Sequence, residues 1–170
     1  MRVGMAAFIA ANLAMAGQVA ALECLVSSVE RDYWWYKEQP GTFALVYGQF
    51  SNLQLIESVE TKETSEEFQV GRQVYLADFI GFKPSRRAFD QPFSTEVTLV
   101  FPDESFIGGG HDTSVLAEAL PRKVGLVWLR EMGTGYEALA SSCSEIVDTD
   151  PASIKPALRC LRGGHCPNPG

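Results

Sequence analysis

TFALVYGQFSNLQLI, residues 42–56, alternates like a strand but is apolar on both of its faces. Phe43, Leu45 and Tyr47 point one way; Ala44, Val46 and Phe50 point the other. β-branched and aromatic side chains suit a pleated surface. Apolarity on both faces suits a strand inside a closed or covered sheet. Gly48 interrupts the run. An interior glycine weakens a strand, so its usual use is a bulge, a bend or a close backbone approach. The expectation here is a bend, which lets one long strand serve two sides of a small β-barrel.

Before this stretch, Ser27-x-x-Glu30 has the capping-box pattern, and Val26, Val29, Tyr33 and Tyr36 follow at helical spacing. A short helix is predicted over 27–38, ended by Pro40-Gly41. Its run Tyr33-Trp34-Trp35-Tyr36 is aromatic all round. Most of these rings are expected to form a lid over one end of the barrel; Trp34 and Trp35 are the candidate contact aromatics if a pair stays exposed.

After it, residues 57–67 hold five glutamates against one lysine, Lys62, and read as a solvated connection. Residues 68–82 alternate. Phe68, Val70, Val74, Leu76, Ile80 and Phe82 share the face expected to be buried, with Arg72 and Asp78 as exceptions. A third strand opens at Pro92, with Phe93, Val97, Leu99 and Phe101 inward and Ser94, Glu96 and Thr98 outward. A short helix is expected over 114–120, stopped by Pro121. Strands four and five are expected over 124–130 and 136–140, joined by the turn Gly133-Thr134-Gly135. Asp150-Pro151 starts a last helix carrying Ile154, Leu158 and Leu161, kinked or late because of Pro156.

Residues 1–21 read as a secretory signal peptide. Arg2 supplies the positive start, 3–15 the apolar stretch, and Val19-Ala20-Ala21 the cleavage site. The apolar run is shorter than the roughly 20 residues of a membrane span. The mature chain is expected to begin at Leu22, in the periplasm or outside the cell, with no membrane span left after cleavage. Cleavage removes Arg2 from the 14 basic residues and none of the 21 acidic ones, leaving a net charge of −8. Such a surface repels phosphate backbones, so nucleic acid is a poor partner. Acidity favours solubility and cationic partners.

Cys24, Cys143, Cys160 and Cys166 make an even count in an exported chain, which reads as two disulfides with three connectivities. The pairing expected is Cys160 with Cys166 across Gly163-Gly164, and Cys24 with Cys143. The second would close a long loop, worth roughly 4–5 kcal/mol on chain entropy. No close pair such as CxxC points to zinc, and neither a metal nor a cofactor is expected.

One loop has ligand-like composition: Gly108, Gly109, Gly110 and His111 precede a helix start, where backbone N–H groups cradle anions. No Gly-Lys-Ser/Thr follows, so it is not a P-loop. His111 with Asp112 and Ser105 or Ser114 is also the best hydrolase candidate. Adjacent His-Asp side chains on a loop rarely face one another, and the sequence reads better as a non-catalytic module than as an enzyme.

The order strand, strand, strand, short helix, strand, strand is that of the OB-fold, a five-stranded Greek-key barrel. The fold expected is therefore mostly β: an OB-like barrel over 22–145 with short flanking helices, and a helix with a disulfide-tethered tail over 146–170. Phe43-Ala44-Leu45-Val46-Tyr47-Gly48-Gln49-Phe50, then Gly125-Leu126-Val127-Trp128-Leu129, Gly135-Tyr136-Glu137-Ala138-Leu139 and Cys143, resemble netrin-like modules, the group that includes tissue inhibitors of metalloproteinases. The resemblance spans Cys24 to Cys143. The barrel order, the disulfides and the lack of a catalytic constellation point to an exported, non-catalytic module that binds a protein partner or stays attached to the cell envelope; the resemblance implies protease inhibition as an alternative, and the His111 loop offers a small hydrolase as another. Two departures count. Residues 105–123 hold no cysteine where the family places one. Inhibition in that family also uses a cysteine as first mature residue, whereas cleavage after Ala21 leaves Leu22-Glu23 ahead of Cys24.

Overall fold

The computed structural model describes residues 28–59, 62–63, 68–69, 71–102, 117–139, 146–163 and 165–167. Cys24, Cys143, Gly108, Gly109, Gly110 and His111 lie outside the described residues.

Five strands close into a ring: β1 (Phe43–Val59), β4 (Arg72–Pro84), β5 (Phe89–Pro102), β7 (Gly135–Leu139) and β6 (Gly125–Met132), each bonded to the next and β6 back to β1. All pairs are antiparallel except β5 with β7. Two-residue strands β2 (Lys62–Glu63) and β3 (Phe68–Gln69) extend the β1–β4 connection. Residues 117–119 are helical and run into a 3-10 turn over Leu120–Arg122. Outside the ring lie helices α1 (Val29–Glu38) and α2 (Ile154–Leu161). No helix among the described residues is long and apolar enough to cross a membrane.

The long first strand serves two neighbours. Its residues 43–48 pair with β6, and its residues 47–59 pair with β4. Its two apolar faces have two destinations. Ala44, Val46 and Phe50 point into the ring with Phe79, Val97, Leu99, Phe101, Val127 and Leu129. Leu45 and Tyr47 point outward, where Val29 of α1 and Ala157 of α2 bury them together with Leu126. Burying a side chain of this size is worth about 1.5–3 kcal/mol, so both layers hold the strand.

Gly48 is not the bend. The register shifts of β1 fall further on, between Ser51 and Gln54 and between Leu55 and Glu57, and Asn52 takes the left-handed conformation at the first (φ 53°). Gly48 sits in regular register with Gly81 on one side and Gly125 on the other. A Cβ there would lie 2.7 Å from the Gly81 Cα and 2.7 Å from the Phe79 Cζ, and would also run into the Ile80 carbonyl oxygen. The glycine permits a close three-strand approach rather than a kink.

That approach also sets the facing of β4. The face expected to be buried is largely the outer one: Leu76 is partly covered, and Ile80 and Phe82 are 58% and 42% exposed. Tyr75, Ala77 and Phe79 belong to the interior instead. Small Ala77 and Gly81 lie inward where β1 comes close, and Phe79 fills the room left beside Gly48. Because the side-chain period is two, this choice turns residues 75–82 over together; Val74, towards the start of the strand, is buried as expected. In β5 the expected facing holds: Val97, Leu99 and Phe101 are buried, and Phe93 packs against the same cluster.

Helix α1 starts one residue later than the capping-box pattern suggests. Ser28 is its cap, accepting from the Arg31 N–H at 3.3 Å. It is not a lid over an end of the ring; it lies against the outer face of β1 and β6. Asp150 caps the 3-10 turn Pro151–Ser153, and α2 follows from Ile154, so Pro156 falls in its first turn, where a missing N–H costs nothing. Cys160 and Cys166 form the expected disulfide.

Candidate functional site

The two candidate aromatics have different fates. The Trp34 indole Nε1–H donates to the Cys166 carbonyl at 3.2 Å, pinning the disulfide-closed tail to α1. The Lys37 ammonium stands 4.5 Å from its ring, and Glu30 accepts from Arg159 of α2 at 3.1 Å. Trp34 is therefore structural. Trp35 is 51% exposed and rests edge-on against Tyr36 at 4.7 Å. Tyr36 stacks on Trp128 at 4.8 Å and touches Phe43 at 4.8 Å.

Burial in that stack, with Asp32 one helical turn back, pushes the Tyr36 hydroxyl from 10.0 up to about 12. The neutral phenol is thus favoured in the folded chain. Its contribution to stability is fully present below pH 10 and is lost as the pH rises towards 12. Denaturation across this range is expected to show a steeper alkaline loss for the native chain than for Tyr36→Phe; parallel curves would rule out this assignment.

The helices cover the outer face of β1 and β6. Among the described residues, neither covers the outer face of β4. Register places rows of outward residues across this wall: Phe82 and Pro92, next to the helix-covered Tyr47; Gln49, Ile80 and Ser94; Ser51, Asp78 and Glu96; Gln54, Leu76 and Thr98. Glu137 of β7 stands beside Thr98. Two adjoining grooves open on this wall and share Leu76 and Glu96. One, of about 330 Å³, is lined by Asn52, Leu53, Gln54, Leu76, Ala77, Asp78 and Glu96. The other, of about 300 Å³, reaches over Thr98 to Met132, Thr134 and Tyr136.

Asp78 and Glu96 are directly opposite one another, a like-charge pairing that destabilises a sheet. The Asn52 amide donates to Asp78 Oδ2 at 2.8 Å, which ties the β1 bulge to β4. Arg130 lies 3.8 Å from Glu137, and Arg72 bonds Glu57 at 2.7 Å. Among the described residues no cation pairs with Glu96. Nor does any group of three or more His, Cys, Asp or Glu among them gather as metal ligands. His165 is the one histidine among the described residues, exposed in the tail. This wall presents carboxylates and hydroxyls between apolar side chains.

Sequence reasoning passed over the wall, although a signal was there. Asp78 sat in the middle of the face assigned to the core, and a buried unpaired carboxylate is costly; that one residue argued for turning the strand over. No family model, no curated protein and no solved structure matches the chain.

Proposed function

We propose that this chain is an exported, non-catalytic binding module of the OB-like, disulfide-bearing kind, and that it holds a protein partner on the wall built by β4, β5 and β7. The strand order of the ring, with its parallel β5–β7 pair, supports the OB-like reading. In OB-folds ligands lie on the face of the second and third strands, next to the loop between the last two. Here those strands are β4 and β5, and that loop is the Gly133-Thr134 turn. The apolar start at 1–21 and the disulfide support export.

The observation that carries the proposal is the pair of adjoining grooves on a wall that, among the described residues, neither α1 nor α2 covers. Their size suits side chains of a partner, and the half-exposed Ile80 and Phe82 beside them add apolar surface. A photo-cross-linking residue at Thr98 is expected to give a discrete adduct in the exported fraction, and the same residue at Glu38 none. Equal labelling at both positions, or turnover of a small substrate by the purified monomer, overturns the reading.

A further inference from the structure

We infer that the partner of this wall is a basic, extended polypeptide segment, whose arginine or lysine lies between Asp78 and Glu96 while apolar side chains on either side rest on Ile80, Phe82 and Leu76. The inference rests on the reading of the wall as the binding surface, and adds the chemistry of what binds.

Along the outer face of β4 the side chains run apolar, acidic, apolar, apolar: Leu76, Asp78, Ile80, Phe82. Successive residues on one face of a strand are about 7 Å apart. An extended segment laid along β4 has the same spacing, so an apolar-x-basic-x-apolar pattern puts each side chain over its counterpart. No helix offers this period. The half-exposed Ile80 and Phe82 supply contact area on one side of the acidic pair. Leu76 and the 47% exposed Met132 supply it on the other, where the second groove begins.

Charge decides the partner's sign. Asp78 and Glu96 face each other across two strands, and among the described residues the nearby cations are engaged elsewhere, Arg72 with Glu57, Arg130 with Glu137, and Lys83 with the Tyr136 hydroxyl and the Phe93 ring. A guanidinium or ammonium between the two carboxylates removes their repulsion and gains charge-assisted hydrogen bonds. An acidic or phosphorylated segment would add to the repulsion. The whole chain, at −7, steers the same sign of partner towards it.

The test uses the full mature chain and three synthetic peptides with one pattern, leucine-serine-X-serine-leucine-serine-leucine, where X is arginine, glutamine or glutamate and the last leucine reaches Phe82. The arginine peptide is expected to bind most tightly, and to weaken as salt is raised. Glu96→Gln, which leaves the Asn52–Asp78 bond untouched, is expected to lower its affinity about tenfold. The pair Glu38→Gln with Glu118→Gln removes charge from exposed sites off this wall and is expected to leave the affinity unchanged. Phe82→Ser is expected to weaken binding at every salt concentration. Equal loss from Glu96→Gln and from the distant pair would mean diffuse attraction only, and overturns the inference. Equal binding of the glutamine peptide, still abolished by Phe82→Ser, overturns the basic partner but leaves the wall as a binding surface. Binding that no substitution on the wall affects overturns both.

Discussion

Gly48→Ala is expected to destabilise the fold by about 3 kcal/mol, at the upper end of the usual cost of overpacking. For a domain of this size that lowers the melting temperature by about 6–12 °C. The cause is not backbone strain. Gly48 has ordinary strand geometry, but it is the middle of a line, Gly125–Gly48–Gly81, across three strands. An added methyl meets the Ile80 carbonyl and the Gly81 Cα, which cannot turn aside, and the Phe79 ring, which can. Shrinking Phe79 is therefore expected not to rescue Gly48→Ala. Gly125→Ala is expected to be comparably damaging, because its methyl would run into the Asp148 carbonyl, which accepts from Leu126 N–H. Gly133→Ala is the control: nothing lies within 4 Å of that position. Thermal melts of the set decide the matter. Gly48→Ala melting with Gly133→Ala would mean that the strands do not approach as described.

Removing the Cys160–Cys166 disulfide, by replacing both residues with alanine, is expected to cost about 2–3 kcal/mol. The chain-entropy model gives that range for a bridge across six residues of sequence. The effect is expected to be concentrated in the outer layer. The bridge holds Cys166 where its carbonyl accepts from Trp34, while Arg159 of the same helix reaches Glu30 of α1. Loss of the bridge frees the tail, and with it one anchor of α1 on β1 and β6. Amide exchange in α1 and α2 should quicken while the interior strands stay protected. Uniform loss of protection throughout the ring would show that the bridge supports the whole fold instead; an unchanged unfolding midpoint would show that it supports neither.

Much of the architecture was readable from local pattern. Strand segments, the late start of α2 behind Asp150-Pro151, and the short bridge around Gly163-Gly164 follow from propensity, capping and proximity along the chain. The two apolar faces of residues 42–56 announced a strand covered on both sides; the ring and the helix layer supply those covers as far as Phe50, while Leu55 and Ile56 stay exposed. The candidate site was much less legible. Trp34 and Trp35 are neighbours in one helix and equal in composition. Only the tail, 132 residues away in sequence, takes Trp34 and leaves Trp35 exposed. No local rule reaches that far.

β4 shows where the boundary lies. Read alone, residues 68–82 are an alternating strand with apolar residues on both faces. Alternation has a period but no sign: when Tyr75 and Phe79 stand on one face and Ile80 and Phe82 on the other, either can be the inside. The tertiary structure alone decided it, by bringing Gly81 against Gly48 and placing Phe79 in the space between. The choice is made by a steric fit between strands more than thirty residues apart. It turned Ile80 and Phe82 out to join Asp78 and Glu96, and so created the wall on which the proposed function rests.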